Sequence, residues 1–250
     1  MAVLSVENVH FSYNSRPVLA GASHVFAANS FTAVLGTNGS GKSTLLKLMT
    51  RILHPAKGSI SLNEEDISHI ERKTLSRKIA YVQQSHTPVF ATTVFDTVMA
   101  GRNPYTGWMP SEKDKNIVWE IIRELNLEEL SLRDISQLSG GQKQKVYLAR
   151  ALAQQTPVII LDEPTSNLDP KHQVSTLSLL KDICSTGKTI IMAIHDINQV
   201  AHHCSHFVML KNGQVLSADS MQNLTPGLLE ELYEIEVKKI TDGEKNHFVF

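Results

Sequence analysis

Short apolar runs alternate along this chain with stretches whose apolar residues fall at helical spacing. Val3 to Val9 alternates as a half-buried strand does, and Val18 to Phe26 reads the same way. Phe31 to Leu35 is almost wholly apolar, which predicts a buried strand. Leu45, Leu48, Met49 and Ile52 share one face of a helix expected over Lys42 to Leu53. His54-Pro55 should end it, since proline cannot extend a helix. Gly58 to Asn63 and Ile79 to Val82 are short strands, the second closed by Gln83-Gln84.

The character then changes. From about Thr92 to Ala153 the chain reads as mostly helical, with Ile117, Ile121, Ile122 and Leu125 marking a helix over Asp114 to Asn126. Val158 to Leu161 and Thr189 to Ile194 are apolar strands, joined by a helix around Gln173 to Ile183. Phe207 to Leu210 and Gln214 to Leu216 form a hairpin pattern about Asn212-Gly213. A last amphipathic helix covers about Gly227 to Glu234. Strands alternating with helices predict a mostly parallel α/β core with an inserted helical block. No internal repeat or long linker divides the chain, so residues 1–250 are expected to be one domain. Residues 1–88 and 154–250 would be its core and 89–153 the helical insertion.

Composition narrows the class. The 250 residues suffice for a full core, and 42% hydrophobic against 20% charged content predicts a globular chain. A net charge of -1 gives no electrostatic footprint for nucleic acid. Cys184 and Cys204 make no disulfide framework and fit a reducing compartment. Nothing approaches the roughly 18 consecutive apolar residues of a membrane span. Glu7, Asn8 and His10 interrupt the pattern a signal peptide would need. A cytosolic chain is expected, and any membrane role needs a partner.

Chemistry concentrates in three places. Gly36-Thr37-Asn38-Gly39-Ser40-Gly41-Lys42-Ser43 fits G-x-x-x-x-G-K-S between a strand and a helix. The N–H groups of Gly39, Gly41, Lys42, Ser43 and Thr44 are expected to point at phosphate oxygens, helped by the helix dipole. Lys42 would neutralise β/γ-phosphate charge and Ser43 offer its hydroxyl to Mg²⁺. The competing reading is a Gly/Ser loop that only caps a helix. Asp162 ends an apolar strand, a position suited to a Mg²⁺ contact through water, and Glu163 follows it. Alone, such a pair is more often just two exposed acids. Ser139-Gly140-Gly141 opens a third candidate, a helix N-terminus with Ser139 as N-cap. One ATP has little use for two anion sites on one chain. Two copies packed head to tail, each presenting Ser139–Gln142 to the other's γ-phosphate, would use both.

The string Leu138-Ser139-Gly140-Gly141-Gln142, the phosphate loop before it and Val158-Ile159-Ile160-Leu161-Asp162-Glu163 after it resemble, in that order, the ATPase subunit of an ATP-binding-cassette (ABC) transporter. The resemblance implies an α/β P-loop fold of the RecA-like kind, with an antiparallel β subdomain and an inserted α-helical one. It implies that Glu163 polarises the attacking water, that Tyr13 stacks on adenine, and that Gln84 senses metal and water. Gln83 stands where proline is more usual. The resemblance further implies that Asp169, in Ser166-Asn167-Leu168-Asp169, lies on a loop crossing the dimer interface, and that His195 bonds the γ-phosphate. Asp196 should cap the next helix. Implied partners are a second copy, two transmembrane permease subunits that hold the chain at the cytoplasmic face of the membrane, and an extracytoplasmic binding protein. The groove receiving the permease would involve Gln84 and about His86 to Tyr105.

Thr93 to Tyr105, with its Gly101-Arg102-Asn103-Pro104, and Leu224 to Tyr233 are similar to ATPases serving iron-siderophore, haem and cobalamin importers. Molybdate and zinc or manganese importers are the nearest rivals within the family. A soluble ABC ATPase acting on nucleic acid or ribosomes is a rival from another class, disfavoured by the charge and by the lack of a long insertion. His202 and His206 are four apart and would share a helix face, but no acidic or cysteine pair completes a metal site.

Overall fold

The structure is a computed structural model that describes residues 3–84, 91–107, 109–166, 168–242 and 245–250. β1 (Leu4–Tyr13) and β2 (Arg16–Phe26) open the chain as an antiparallel pair. β3 (Phe31–Leu35) leads through the glycine loop into α1 (Lys42–Met49). β4 (Lys57–Leu62), β5 (Glu65–Asp66), the short α2 (Arg72–Ser76) and β6 (Ile79–Val82) follow. Then come α3 (Val94–Met99), α4 (Glu112–Glu124) and α5 (Gly140–Ala153), the helical block foreseen between two strands. β7 (Val158–Asp162), α6 (Pro170–Ser185), β8 (Thr189–Ala193) and α7 (Ile197–Val200) return to α/β alternation. β9 (His206–Lys211), β10 (Gln214–Ser220), α8 (Pro226–Tyr233), β11 (Lys238–Asp242) and β12 (Lys245–Val249) complete the order.

Six strands form the central sheet in the order β10-β9-β3-β8-β7-β6. All its pairings are parallel except β10 with β9. Such a sheet has both faces covered, which is why β3, β7 and β8 are buried along their whole length. One face packs Leu35, Leu161 and Met192 against Val98, Ile122 and Val146 of the helical block. The other packs Ile160, Ile191 and Leu210 against α1 and the inner face of a four-stranded sheet, β2-β1-β4-β5.

Several boundaries differ from the sequence expectation. α1 stops at Met49, before His54-Pro55, because Arg51 takes a left-handed backbone (φ 55°) that ends the coil. Ile52 therefore leaves the buried stripe and is 49% exposed. His202 lies in the turn after α7 while His206 opens β9, so the two do not share a helix face. The β9–β10 turn has Asn212 and Gly213 both at positive φ, the geometry of a two-residue hairpin turn. The β11–β12 hairpin was not legible: Lys238 to Val249 is too rich in charge to show a buried face. Phe248 nevertheless docks on α7, its backbone exchanging two hydrogen bonds with the Asn198 amide at 2.7 and 2.8 Å.

Candidate functional site at the carboxyl ends of the parallel strands

Four neighbouring parallel strands deliver the predicted residues to one edge of the sheet. The glycine loop follows β3, His195 lies two residues past β8, Asp162 ends β7 with Glu163 next, and Gln84 lies two residues past β6. In an open α/β sheet this edge is where ligands bind.

The loop turns sharply into α1. Gly41 is its N-cap, with φ 104° and no side-chain cap. That backbone conformation favours glycine, and a Cβ there would also stand 2.8 Å from a Leu19 methyl and 3.1 Å from Val18 O. The first-turn N–H groups of α1 thus have neither an intrahelical partner nor a side-chain cap. Ser40 Oγ is buried without a hydrogen-bond partner. Lys42, only 5% exposed, donates to the carbonyls of Gly36 and Thr37 at 2.8 and 3.0 Å. Burial pushes its ammonium below the ordinary lysine range, and the nearby Glu163 and Asp162 carboxylates oppose that shift. Unpaired N–H groups, an orphaned hydroxyl and a buried cation together suit a polyphosphate. Pro17, Val18, Thr37, Asn38, Gly39 and Asn212 line part of an adjoining hollow of about 370 Å³.

Asp162 is 2% exposed and accepts two hydrogen bonds. Ser43 Oγ donates at 2.9 Å and the Tyr81 hydroxyl at 3.2 Å. The two metal candidates Ser43 and Asp162 are therefore adjacent, as a shared Mg²⁺ requires. Gln84, the third metal candidate, instead directs its amide Nε2 to Glu163 Oε2 at 2.5 Å. His195 Nε2 closes on the other oxygen, Oε1. Glu163 itself adopts a left-handed backbone (φ 49°), uncommon for a side chain with a Cβ and costing about 1–2 kcal/mol. Its carboxylate is engaged by Gln84 and His195, whereas that of Asp162 is engaged by Ser43 and Tyr81. The backbone is held by Glu163 N donating to Ala193 O at 3.1 Å and by Ser166 donating to Glu163 O.

Tyr81 was missed by sequence reasoning. Its signal was register: it pairs with Ile160, two residues before Asp162 on the neighbouring strand. Burial, and then the Asp162 charge beside it, push the phenol well above the ordinary tyrosine range, so it stays a donor.

Ser139–Gln142 makes no such cluster. Ser139 caps α5 by accepting from Gln142 N at 3.3 Å, while Gln142 Oε1 accepts from Ser139 N at 3.0 Å. A Cβ on Gly141 would stand 3.0 Å from the ring of His172, another residue missed by sequence reasoning. Asp169 caps α6, accepting from His172 N at 2.9 Å and pairing with its Nδ1 at 2.7 Å. Asp196 caps α7 as expected. Tyr13 is 44% exposed at the end of β1, edge-on to Phe11 at 4.8 Å. His86, Asn167 and residues 85–90 lie outside the described residues.

A phosphate loop with buried acids at the carboxyl edge of a parallel sheet defines a P-loop nucleotide-binding protein. The family model described as ABC transporter matches residues 19–166, and the chain belongs to that family as an ATP-binding, ATP-hydrolysing component. It is 33% identical over 250 residues to the iron(3+)-hydroxamate import ATP-binding protein FhuC of Bacillus subtilis, covering 98% of this chain and 93% of that protein. It is 34% identical over 237 residues to the petrobactin import ATP-binding protein YclP of the same organism, covering 94% of each. Among solved structures, an inward-facing ABC transporter described as metal-chelate type superposes with a TM-score of 0.86 at 32% identity, covering 99% of this chain and 96% of that one.

Proposed function

We propose that the chain is the ATPase subunit of an importer for an iron chelate, haem or cobalamin, working as a pair of copies beneath two transmembrane permease subunits. An extracytoplasmic binding protein would deliver the cargo. Iron-chelate cargo is favoured by the relatives FhuC and YclP, which serve iron(3+)-hydroxamate and petrobactin import. Among the described residues no helix is long and apolar enough to cross a membrane, so attachment would run through the permeases.

The observation that carries the site reading is the clasp on Glu163, whose two carboxylate oxygens are engaged by Gln84 and His195 beside the Ser43–Asp162 pair. In this reading the phosphates lie on the N-terminus of α1, with Lys42 turning from the loop carbonyls to the β/γ oxygens. Mg²⁺, when bound, neutralises phosphate charge, held by Ser43 and, through water, by Asp162. Glu163 takes the proton from the attacking water, Gln84 orients that water, and His195 holds the γ-phosphate end. Tyr13 supplies an aromatic face for adenine. Ser139–Gln142 and Asp169 act across the seam between copies. The catalytic core would comprise residues 1–88 and 154–250, and the helical subdomain 89–153.

Two measurements test this. ATP turnover should rise on reconstitution with the permease pair and remain unaffected by DNA or RNA. Vesicles holding the complex should take up a ferric siderophore, haem or cobalamin when ATP is supplied inside. Turnover stimulated by nucleic acid alone would overturn the transport reading.

A further inference from the structure

The segment Gly101 to Tyr105 lies outside the phosphate-loop cluster, yet it is closely packed and hydrogen-bonded. Gly101 approaches α5 so closely that a Cβ would stand 2.2 Å from Arg150 O. Arg102 is 4% exposed: Nε pairs with Asp114 of α4 at 2.9 Å, and Nη1 donates to Ala153 O at 2.8 Å and Gln155 Oε1 at 3.0 Å. It thereby satisfies a carbonyl at the open C-terminus of α5. Its guanidinium carbon lies 4.1 Å from the ring centre of Tyr105.

Tyr105 also faces the catalytic sheet. Arg77, between α2 and β6, places its guanidinium carbon 5.0 Å from the ring centre and donates to Pro104 O at 2.9 Å. The Tyr105 hydroxyl donates to Gln154 O at 3.0 Å, and Gln154 Nε2 reaches back to the Ser76 and Ile79 carbonyls. One aromatic ring is thus held by a cation from the sheet side and a cation from the helical side, with its hydroxyl on the hinge between α5 and β7.

We propose that Tyr105, clasped between Arg77 and Arg102, is a positioning residue for ATP turnover: it fixes the angle of α5 on the catalytic sheet and so the place where Ser139–Gln142 meets the second copy's nucleotide. The inference rests on the proposed two-copy site. Geometry gives it leverage. The 14 residues of α5 span about 21 Å, with the clasp at one end and Ser139 at the other. A tilt of about 10° at the clasp moves the far end by about 3.5 Å, more than the length of a hydrogen bond.

The test reads ATP-driven association in the Glu163→Gln background by light scattering against protein concentration, with a fluorescent ATP analogue reporting nucleotide affinity. Tyr105→Leu should leave analogue affinity within about twofold and raise the midpoint for association about tenfold, as expected for losing two cation–π contacts and one hydrogen bond. Tyr105→Phe, which keeps the ring, should recover most of the loss. A loss of fold alone would lower analogue binding as well. If Tyr105→Leu misfolds, Arg77→Gln, at an exposed residue, removes the sheet-side cation and its hydrogen bond to Pro104 O and should raise the midpoint about threefold. Parental association in the Leu variant, or in Arg77→Gln, overturns the inference while leaving the two-copy reading intact. Absence of ATP-driven association in the Glu163→Gln parent overturns both.

Discussion

The N-termini of α1 and α5 make an instructive pair. Both are glycine-rich and both point a helix dipole outward, so each could hold an anion. At α1 the cap position is Gly41 in a left-handed conformation, with no side chain to satisfy the first turn. At α5 Ser139 and Gln142 exchange two hydrogen bonds in a complete capping box. The first terminus is surrounded within its own chain by Lys42, Asp162, Glu163 and His195. At the second, Gly141 packs on His172, and Ser139 and Gly140 are exposed. A terminus left uncapped keeps its N–H groups free for a ligand. A self-capped one is stable without a ligand, which is compatible with the proposed role of meeting a second copy's nucleotide.

The contrast can be broken most forcefully at Lys42. Lys42→Ala should abolish tight ATP binding and turnover, read by equilibrium binding of a fluorescent analogue; unchanged affinity would remove α1 as the phosphate site. Glu163→Gln should slow hydrolysis about 10²–10⁴-fold yet retain ATP binding and accumulate an associated pair, visible by size-exclusion chromatography. Ser139→Ala removes the α5 cap and should lower stability by about 1 kcal/mol in denaturant titration while sparing ATP affinity. A drop in affinity would mean that the α5 terminus serves its own chain's nucleotide. Tyr81→Phe should raise the Mg²⁺ concentration needed for half-maximal turnover a few-fold, leaving metal-free nucleotide binding alone.

The smallest effect is acid sensitivity at Asp114. Its carboxyl is held below the ordinary value of 3.8, chiefly by the Ser111 hydroxyl and also by Arg102, against the opposing effect of burial. A folded pKa below the unfolded one stabilises the protein fully above 3.8, and that gain disappears as pH falls through the lower folded value. Asp114→Asn should flatten this limb of the stability profile, measured by thermal melts between about pH 5 and pH 2.

The phosphate loop, the Asp162–Glu163 strand end and the Ser139 cap were legible because each is local. Their chemistry sits within a few residues of a strand or helix end whose period shows in the sequence. Tyr81 and His172 were not legible, since their roles depend on the neighbouring strand and on a helix about thirty residues away. The Gly101–Tyr105 segment was legible only as a likeness to certain importers, and its clasp between Arg77 and α5 needed the packed chain.

Sequence alone determined the element types, the buried parallel strands and the place of the glycine loop between a strand and a helix. Periodicity and backbone permissiveness are properties of single residues and their near neighbours. Tertiary structure decided which of those residues touch: that Glu163 is held between Gln84 and His195, that Ser43 meets Asp162, and that the α5 terminus stands apart. Such contacts join strand ends far apart in sequence, and strand order in the sheet, which no local pattern encodes, sets their distances.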